Sequence, residues 1–176
     1  AAGAQVTLVA GPTALATPRG VTRIDVRTAQ QMHDAVMTAL DAPLRTDVFI
    51  AVAAVADWRV ASPSERKLKK SGAHDVPKLE FVQNPDILAT VARRADAPWC
   101  VGFAAESEDL EANGQAKRIA KGVPLLVANI GHETFGRDEN ELLLIDEHGS
   151  RRLPRADKAQ LAQALVAEIA QRLPPR

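Results

Sequence analysis

Asp47–Ala54, "DVFIAVAA", decides the fold: seven apolar residues run unbroken behind one aspartate. A strand with one wet face alternates polar and apolar residues, whereas an unbroken run marks a strand covered on both faces of a parallel sheet. Parallel strands need crossover connections, so strand and helix should alternate on either side of it. They do. Gln5–Ala10 ("QVTLVA") is a short apolar strand stopped by Gly11-Pro12, and Val21–Val26 ("VTRIDV") is a second. Thr28 then stands at an N-cap, with Met32, Ala35, Val36, Ala39 and Leu40 at helical spacing behind it.

Downstream, Lys78–Val82 ("KLEFV") alternates like a more exposed strand. "NPDILATVARRA" places Asn84 to cap a helix, Pro85 at its first position and Asp86 in its first turn. Trp99–Glu106 is an apolar strand, Leu110–Gly122 a polar-rich helix ending at a glycine, and Val123–Ile130 a further buried strand. "ELLLIDEHGSRRLPR" reads as a hairpin turning at His148-Gly149, and Asp157–Leu173 as an amphipathic helix ending before Pro174-Pro175. The order predicts an α/β fold: a Rossmann-like three-layer sandwich with a mainly parallel sheet and a C-terminal antiparallel hairpin. No repeat, low-complexity tract or linker divides it, so residues 1–173 are expected to form a single domain.

Composition narrows the function. Hydrophobic residues at 46% and charged residues at 25% are ordinary for a globular domain of 176 residues. Net charge is zero, with 22 residues of each sign, which argues against nucleic-acid binding by bulk charge. Aromatics at 3% leave few platforms for stacked bases. The lone Cys100 forms no internal disulfide, fits a cytoplasmic location, and reads as a small buried strand residue. The longest apolar run, Val48–Ala56, is too short to cross a bilayer, and no charged leader precedes the first strand. "AAGA" at the start reads as the end of a helix capped by Gly3, so an upstream part is expected.

Ligands of open α/β sheets bind at the carboxyl ends of the parallel strands. That selects "GPTALATP" after Ala10, "VADWR" and "KLKK" after Ala54, "AESED" after Ala104 and "NIGHETFGRDEN" after Ala128. Lys67, Lys69 and Lys70 fall in one of these loops; Lys117 and Lys121, four apart, share a helix face beside Arg118. A charge run is usually a solvated face, but lysines near strand ends also suit a phosphate chain. "NPDIL" adds backbone N–H groups at a helix start. The three features together suggest a nucleotide. His33, His74, His132 and His148 have no metal-ligand spacing with Cys100, and no GxSxG, Walker A or GxGxxG pattern occurs.

"AAVADWR" followed by "KLKK", "NPDIL", "VGFAAE", "KRIAK", "LLVAN" and "FGRDEN" occur in an order and spacing that resembles the phosphopantothenate–cysteine ligase (phosphopantothenoylcysteine synthetase) domain of bacterial bifunctional coenzyme A biosynthesis proteins. The resemblance covers essentially the whole chain. It implies a CTP- and Mg²⁺-dependent ligation of 4'-phosphopantothenate to L-cysteine through an acyl-cytidylate, in a homodimer. An FMN-dependent decarboxylase domain would be fused upstream.

Carried over by motif, Asp57 is a nucleotide-site acid and Lys67 the principal lysine, bound to nucleotide and important for the chemistry. Pro85, Asp86, Ile87, Leu88 and Phe103 line the CTP pocket, Lys117 and Lys121 contact phosphates, and Ala53 and Ala54 let the nucleotide approach the strand end. Asn129, in the "AN" pair, falls among substrate-binding positions. The family's first strand, its asparagine-bearing turn and its "SSG" phosphate loop have no counterpart here, so a central strand is expected upstream of Ala1. Trp58–Val82 is read as an arm toward a partner subunit, its lysine-bearing part ordering over bound nucleotide. Two other functions fit part of the pattern. A NAD(P)-binding Rossmann oxidoreductase would use Asp25 at the end of the second strand, and a non-catalytic nucleotide-binding module would need only the lysines.

Overall fold

The computed structural model describes residues 3–64, 66, 78–131 and 136–173. Among them the chain runs β1 (Val6–Ala10), β2 (Val21–Asp25), α1 (Ala29–Leu40), β3 (Val48–Ala51), β4 (Trp58–Val60) and β5 (Phe81–Gln83). It continues α2 (Ile87–Ala92), β6 (Trp99–Glu106), α3 (Leu110–Lys121), β7 (Leu125–Ile130), β8 (Glu139–Asp146), β9 (Gly149–Asp157) and α4 (Lys158–Arg172).

The unbroken apolar runs pair in parallel. β3, β6 and β7 lie side by side in one direction, Val48 opposite Trp99 and Val101 opposite Leu125. β8 then adds antiparallel to β7, and β9 to β8, giving a five-stranded sheet in the order β3-β6-β7-β8-β9. β1 and β2 form a parallel pair of their own, and among the described residues neither β1 nor β3 has a hydrogen-bonded partner on its other edge. Apolar residues on these strands stay partly exposed, Val6 and Leu8 on β1 and Ile50 on β3; β3 is thus a four-residue edge strand with Val52 beyond it exposed, rather than the doubly covered strand read over Asp47–Ala54. β4 and β5 make a short antiparallel ribbon. The sequence announces half of it: the strand read at Lys78–Val82 overlaps β5, whereas β4, three residues long with Trp58 exposed, holds too little periodicity to show.

Alternation along the central strands sorts side chains to two cores. Cys100, Ala104 and Leu126 face one side with Met32 and Val36 of α1, Ile87 and Val91 of α2, and Val26. Val101, Leu125, Val127, Leu142 and Leu144 face the other, against Leu161, Leu165 and Ile169 of α4. Helices therefore cover both faces, which is the expected three-layer sandwich. No described helix is long and apolar enough to cross a membrane.

Local chemistry sets the helix ends. Thr28 and Gln31 form a capping box on α1: the Gln31 N–H donates to Thr28 Oγ1 at 3.1 Å and the Thr28 N–H to Gln31 Oε1 at 3.2 Å. Gly122 closes α3 in the left-handed conformation, as read from sequence. Asp157 caps α4 by accepting from the Ala159 N–H at 2.7 Å. In the last turn of α4, Arg172 and the strand residue Arg151 both pair with Glu168, whose burial would otherwise leave a charge unmatched.

Two glycines let helices approach the sheet. A Cβ at Gly102 would sit 2.8 Å from Leu88 Cδ2 on α2 and 2.8 Å from Leu126 Cδ1. A Cβ at Gly114, inside α3, would sit 2.3 Å from Ile145 Cδ1 on β8. Gly114 costs α3 about 1 kcal/mol in helix propensity but allows that seat. We expect Gly114→Ala to lower stability by about 1–2 kcal/mol, the overpacking exceeding the propensity gain. In an Ile145→Val background, which removes the obstructing methyl, urea unfolding should show most of that loss gone. Equal losses in both backgrounds would mean the close approach is not what Gly114 provides.

Candidate functional site

The carboxyl ends of β1 and β3 border an open cleft of about 390 Å³, lined by Gly11, Pro12, Arg27, Thr28 and Ala53–Ala56, with Asn84 at its side. Small residues lead out of β3: Ala53 and Ala54 line the cleft wall, and the Val55 N–H turns back to Ala53 O at 3.0 Å. A wall of alanines lets a ligand come close to backbone, which suits the role the motif implies for Ala53 and Ala54. Asp57 follows, exposed, at the foot of the β4–β5 ribbon. Lys67, with Lys69 and Lys70, lies outside the described residues.

Asn84 does not cap α2. Its side-chain amide donates to Ala56 O at 2.8 Å, its N–H donates to Asp57 O at 2.8 Å, and its Oδ1 accepts from Arg59 at 3.2 Å. It therefore ties the β3 exit loop to the segment leading into α2. Asp86 is the N-cap instead: its Oδ1 accepts from the Ala89 N–H at 3.0 Å. Pro85 consequently precedes the helix rather than opening it, since α2 starts at Ile87. The helix start proposed as an anion site thus already holds a carboxylate. Ile87 is buried and Leu88 is packed against the same core, so these two serve packing as well as the pocket position the resemblance implies.

α3 brings the remaining charges together. Lys117 and Lys121 lie one turn apart, and each is held by a carboxylate from another element. Lys117 Nζ is 2.7 Å from Glu106 Oε1 at the end of β6. Lys121 Nζ donates to Asp86 Oδ2 at 2.5 Å. Burial alone would raise the Asp86 pKa. The Lys121 hydrogen bond, the Ala89 N–H and the charges of Lys121 and Arg93 outweigh it and hold the carboxyl below its ordinary value. Asn129, half-buried on β7, lies opposite Ala105 at the same edge. Phe103 does not join this group; it packs toward the α4 side of the sheet among Val101, Leu125 and Val127. Neither the pairing of Glu106 nor the stapling by Asn84 leaves a signal in the sequence, since the partners of both come from other elements.

Among the described residues no group of three or more His, Cys, Asp or Glu side chains gathers to hold a metal. Burial pushes the Cys100 thiol up to about 11, in keeping with a packing role. Asp25, the acid that a dinucleotide-binding reading requires, is engaged by Arg23 Nε at 2.7 Å.

Comparison with known proteins places this arrangement. The sequence profile of the DNA/pantothenate metabolism flavoprotein C-terminal domain matches residues 1–173. The chain belongs to that family. Within it, the chain is 42% identical over 168 residues to the coenzyme A biosynthesis bifunctional protein CoaBC of Vibrio cholerae, covering 93% of the chain and 41% of that protein. It is likewise 42% identical over 175 residues to CoaBC of Escherichia coli K12, covering 97% and 42%. The chain thus spans about two-fifths of the length of these relatives. The crystal structure of the C-terminal domain of a CoaBC protein superposes with a TM-score of 0.75 at 32% identity, covering 95% of this chain and 74% of that one. A DNA/pantothenate metabolism flavoprotein from Streptococcus pneumoniae, at 16% identity and a TM-score of 0.76, shares the fold.

Asp86 carries a measurable load. Asp86→Ala should cost about 1 kcal/mol at neutral pH through the lost cap, whereas Asp86→Asn should keep the cap and lose only the lysine partner. The folded pKa of Asp86 lies below its unfolded value, so its contribution is complete above the ordinary aspartate range and fades as pH falls through the lower folded value. Denaturant unfolding should therefore show the gap between parent and Asp86→Ala narrowing below about pH 4. A constant gap from pH 7 to 3 would contradict this.

Proposed function

We propose that this domain is a phosphopantothenate–cysteine ligase of coenzyme A biosynthesis. What carries the proposal is the pair of α3 lysines, Lys117 drawn to Glu106 at the end of β6 and Lys121 to the Asp86 cap of α2, together with the alanine-walled cleft after β3; the relationship to CoaBC proteins gives the chemistry. In the first step a carboxylate oxygen of 4'-phosphopantothenate attacks the α-phosphorus of CTP and pyrophosphate leaves, forming the acyl-cytidylate. In the second, the cysteine amine attacks the acyl carbon, the acyl–oxygen bond to CMP breaks, and the amine loses a proton as the amide forms.

The central physical problem is bringing a carboxylate to a triphosphate, two anions that repel. Lys117 and Lys121 supply fixed positive charge where the phosphates lie, lowering that repulsion and favouring the charge that gathers on the leaving pyrophosphate. Lys67, between β4 and β5 in the sequence, adds a third cation and stays with the acyl-cytidylate for the cysteine step. Ala53 and Ala54 admit the nucleotide against backbone, Pro85–Leu88 border it, Asp57 lies beside it, and Asn129 belongs to the acyl-acceptor side. Mg²⁺ fits a site of this kind as a companion of the phosphate oxygens, with Asp57 the exposed carboxylate at hand, and offsets phosphate charge when bound.

Two larger features belong to the same proposal. The open edges of β1 and β3 accept one further parallel strand from a segment upstream, which completes the sheet and brings the remaining substrate loops. The exposed Trp58 and Phe81 of the β4–β5 ribbon meet a second copy of the domain, giving a cytoplasmic homodimer fused to an FMN-dependent decarboxylase.

Calorimetric titration tests the nucleotide assignment. CTP should bind in preference to NADPH, and Lys67→Ala or Lys117→Ala should weaken it about 10-fold or more, the worth of one charge-assisted hydrogen bond. Binding of NADPH alone would sink the ligase assignment. The strand requirement has its own assay: the 176-residue chain by itself should form no amide from phosphopantothenate, cysteine and CTP, and full turnover would refute it.

A further inference from the structure

β6 ends on a carboxylate to which the ligation scheme gives no task. Glu106 is the last residue of the strand, and its side chain is only 10% exposed. Its Oε1 is shut off from solvent and has no aligned hydrogen-bond donor. The Lys117 ammonium stands 2.7 Å from that oxygen but approaches outside hydrogen-bonding angles, so the attraction is between charges. Lys117 itself is half exposed and would be solvated adequately without a partner. A buried carboxylate is costly to keep for the comfort of a surface lysine.

The wider arrangement explains its use. Lys117 and Lys121 are like charges four residues apart on one helix and repel each other. Left alone, two long, mobile side chains would splay into solvent. Instead each is drawn to a carboxylate on a different element, Lys117 to the end of β6 and Lys121 to the cap of α2. An ammonium has three donors, so one that faces a carboxylate still presents N–H groups to a second anion. Gly114, one turn before Lys117, seats α3 close enough for this reach.

We propose that Glu106 is a positioning residue: it anchors the Lys117 ammonium at the end of β6 so that its remaining donors meet a phosphate of the bound nucleotide. The inference rests on the ligase proposal above. Its signature is dependence on Lys117, because Glu106 acts on the nucleotide only through that side chain. A carboxylate serving stability alone would affect binding equally whether or not Lys117 were present.

The experiment is a double-mutant cycle on the full chain, read by calorimetric CTP affinity. Glu106→Gln preserves shape and leaves only the half-exposed Lys117 without its partner, and Lys117→Gln leaves an amide beside Glu106 in place of the ammonium. Thermal unfolding of all four proteins checks that they fold, and Glu106→Ala serves as a second probe where Gln does not. Glu106→Gln should weaken CTP about 5- to 10-fold in the parent and less than 2-fold in the Lys117→Gln background. Equal weakening in both backgrounds overturns the proposal, as does no change while Lys117→Gln weakens binding. Tighter CTP binding by Glu106→Gln also overturns it, since Glu106 would then merely repel phosphate. A parent that binds no CTP, or a Lys117→Gln variant with unaltered affinity, instead defeats the nucleotide assignment on which the inference stands.

Discussion

Burial of β7 on both faces is the constraint on which the rest of the domain depends. Leu125, Leu126, Val127 and Ala128 are all essentially inaccessible. The strand therefore cannot sit at an edge, and it needs a strand on each side and a helical layer above and below. β6 supplies one side in parallel and β8 the other in antiparallel, which is where the sheet changes direction. α4 closes one face through Leu161, Leu165 and Ile169, and α3 lies over the other, where Gly114 meets Leu126, Ala128 and Ile145. A helix seated at that distance holds the Lys117 side chain, on its next turn, within 2.7 Å of Glu106 at the end of β6. Core packing and the placement of Lys117 are thus one event.

The charges at this edge form a balanced set. Two lysines from α3 face two carboxylates from β6 and α2, so these four charges cancel, as do the 22 of each sign in the whole chain. Partly exposed pairs of this kind contribute little stability. Their value lies in geometry, for they hold flexible cations over the place where an anion is expected. Asn84 has a comparable function without charge: three hydrogen bonds tie the β3 exit, the β4–β5 ribbon and the lead into α2 into a single wall.

The motifs that identify the family and the contacts that build the site overlap only in part. "NPDIL" was legible as a helix start, yet its asparagine staples a loop and its aspartate both caps and pairs. "VGFAAE" was legible as a strand with a functional end, yet Phe103 turns to the α4 core and Glu106 turns to Lys117. Neighbours in a strand point to opposite faces, so a motif quoted as one string is divided between two environments.

Read alone, the chain determined its elements and their kind. The unbroken run at Asp47–Ala54, the N-cap at Thr28, the helix stop at Gly122 and the β8–β9 hairpin, which turns at Glu147-His148, one residue before the His148-Gly149 read from sequence, each depend on interactions within a few residues, and such signals survive in a linear string. It also marked Lys117 and Lys121 as a same-face pair, since helical spacing alone places them together. Only the tertiary structure decided what faces them. Asp86 lies 35 residues before Lys121, and Glu106 acquires its partner only when α3 folds back over β6. Local periodicity says which side of a helix a residue occupies, but the neighbour across the gap is chosen by the docking of whole elements.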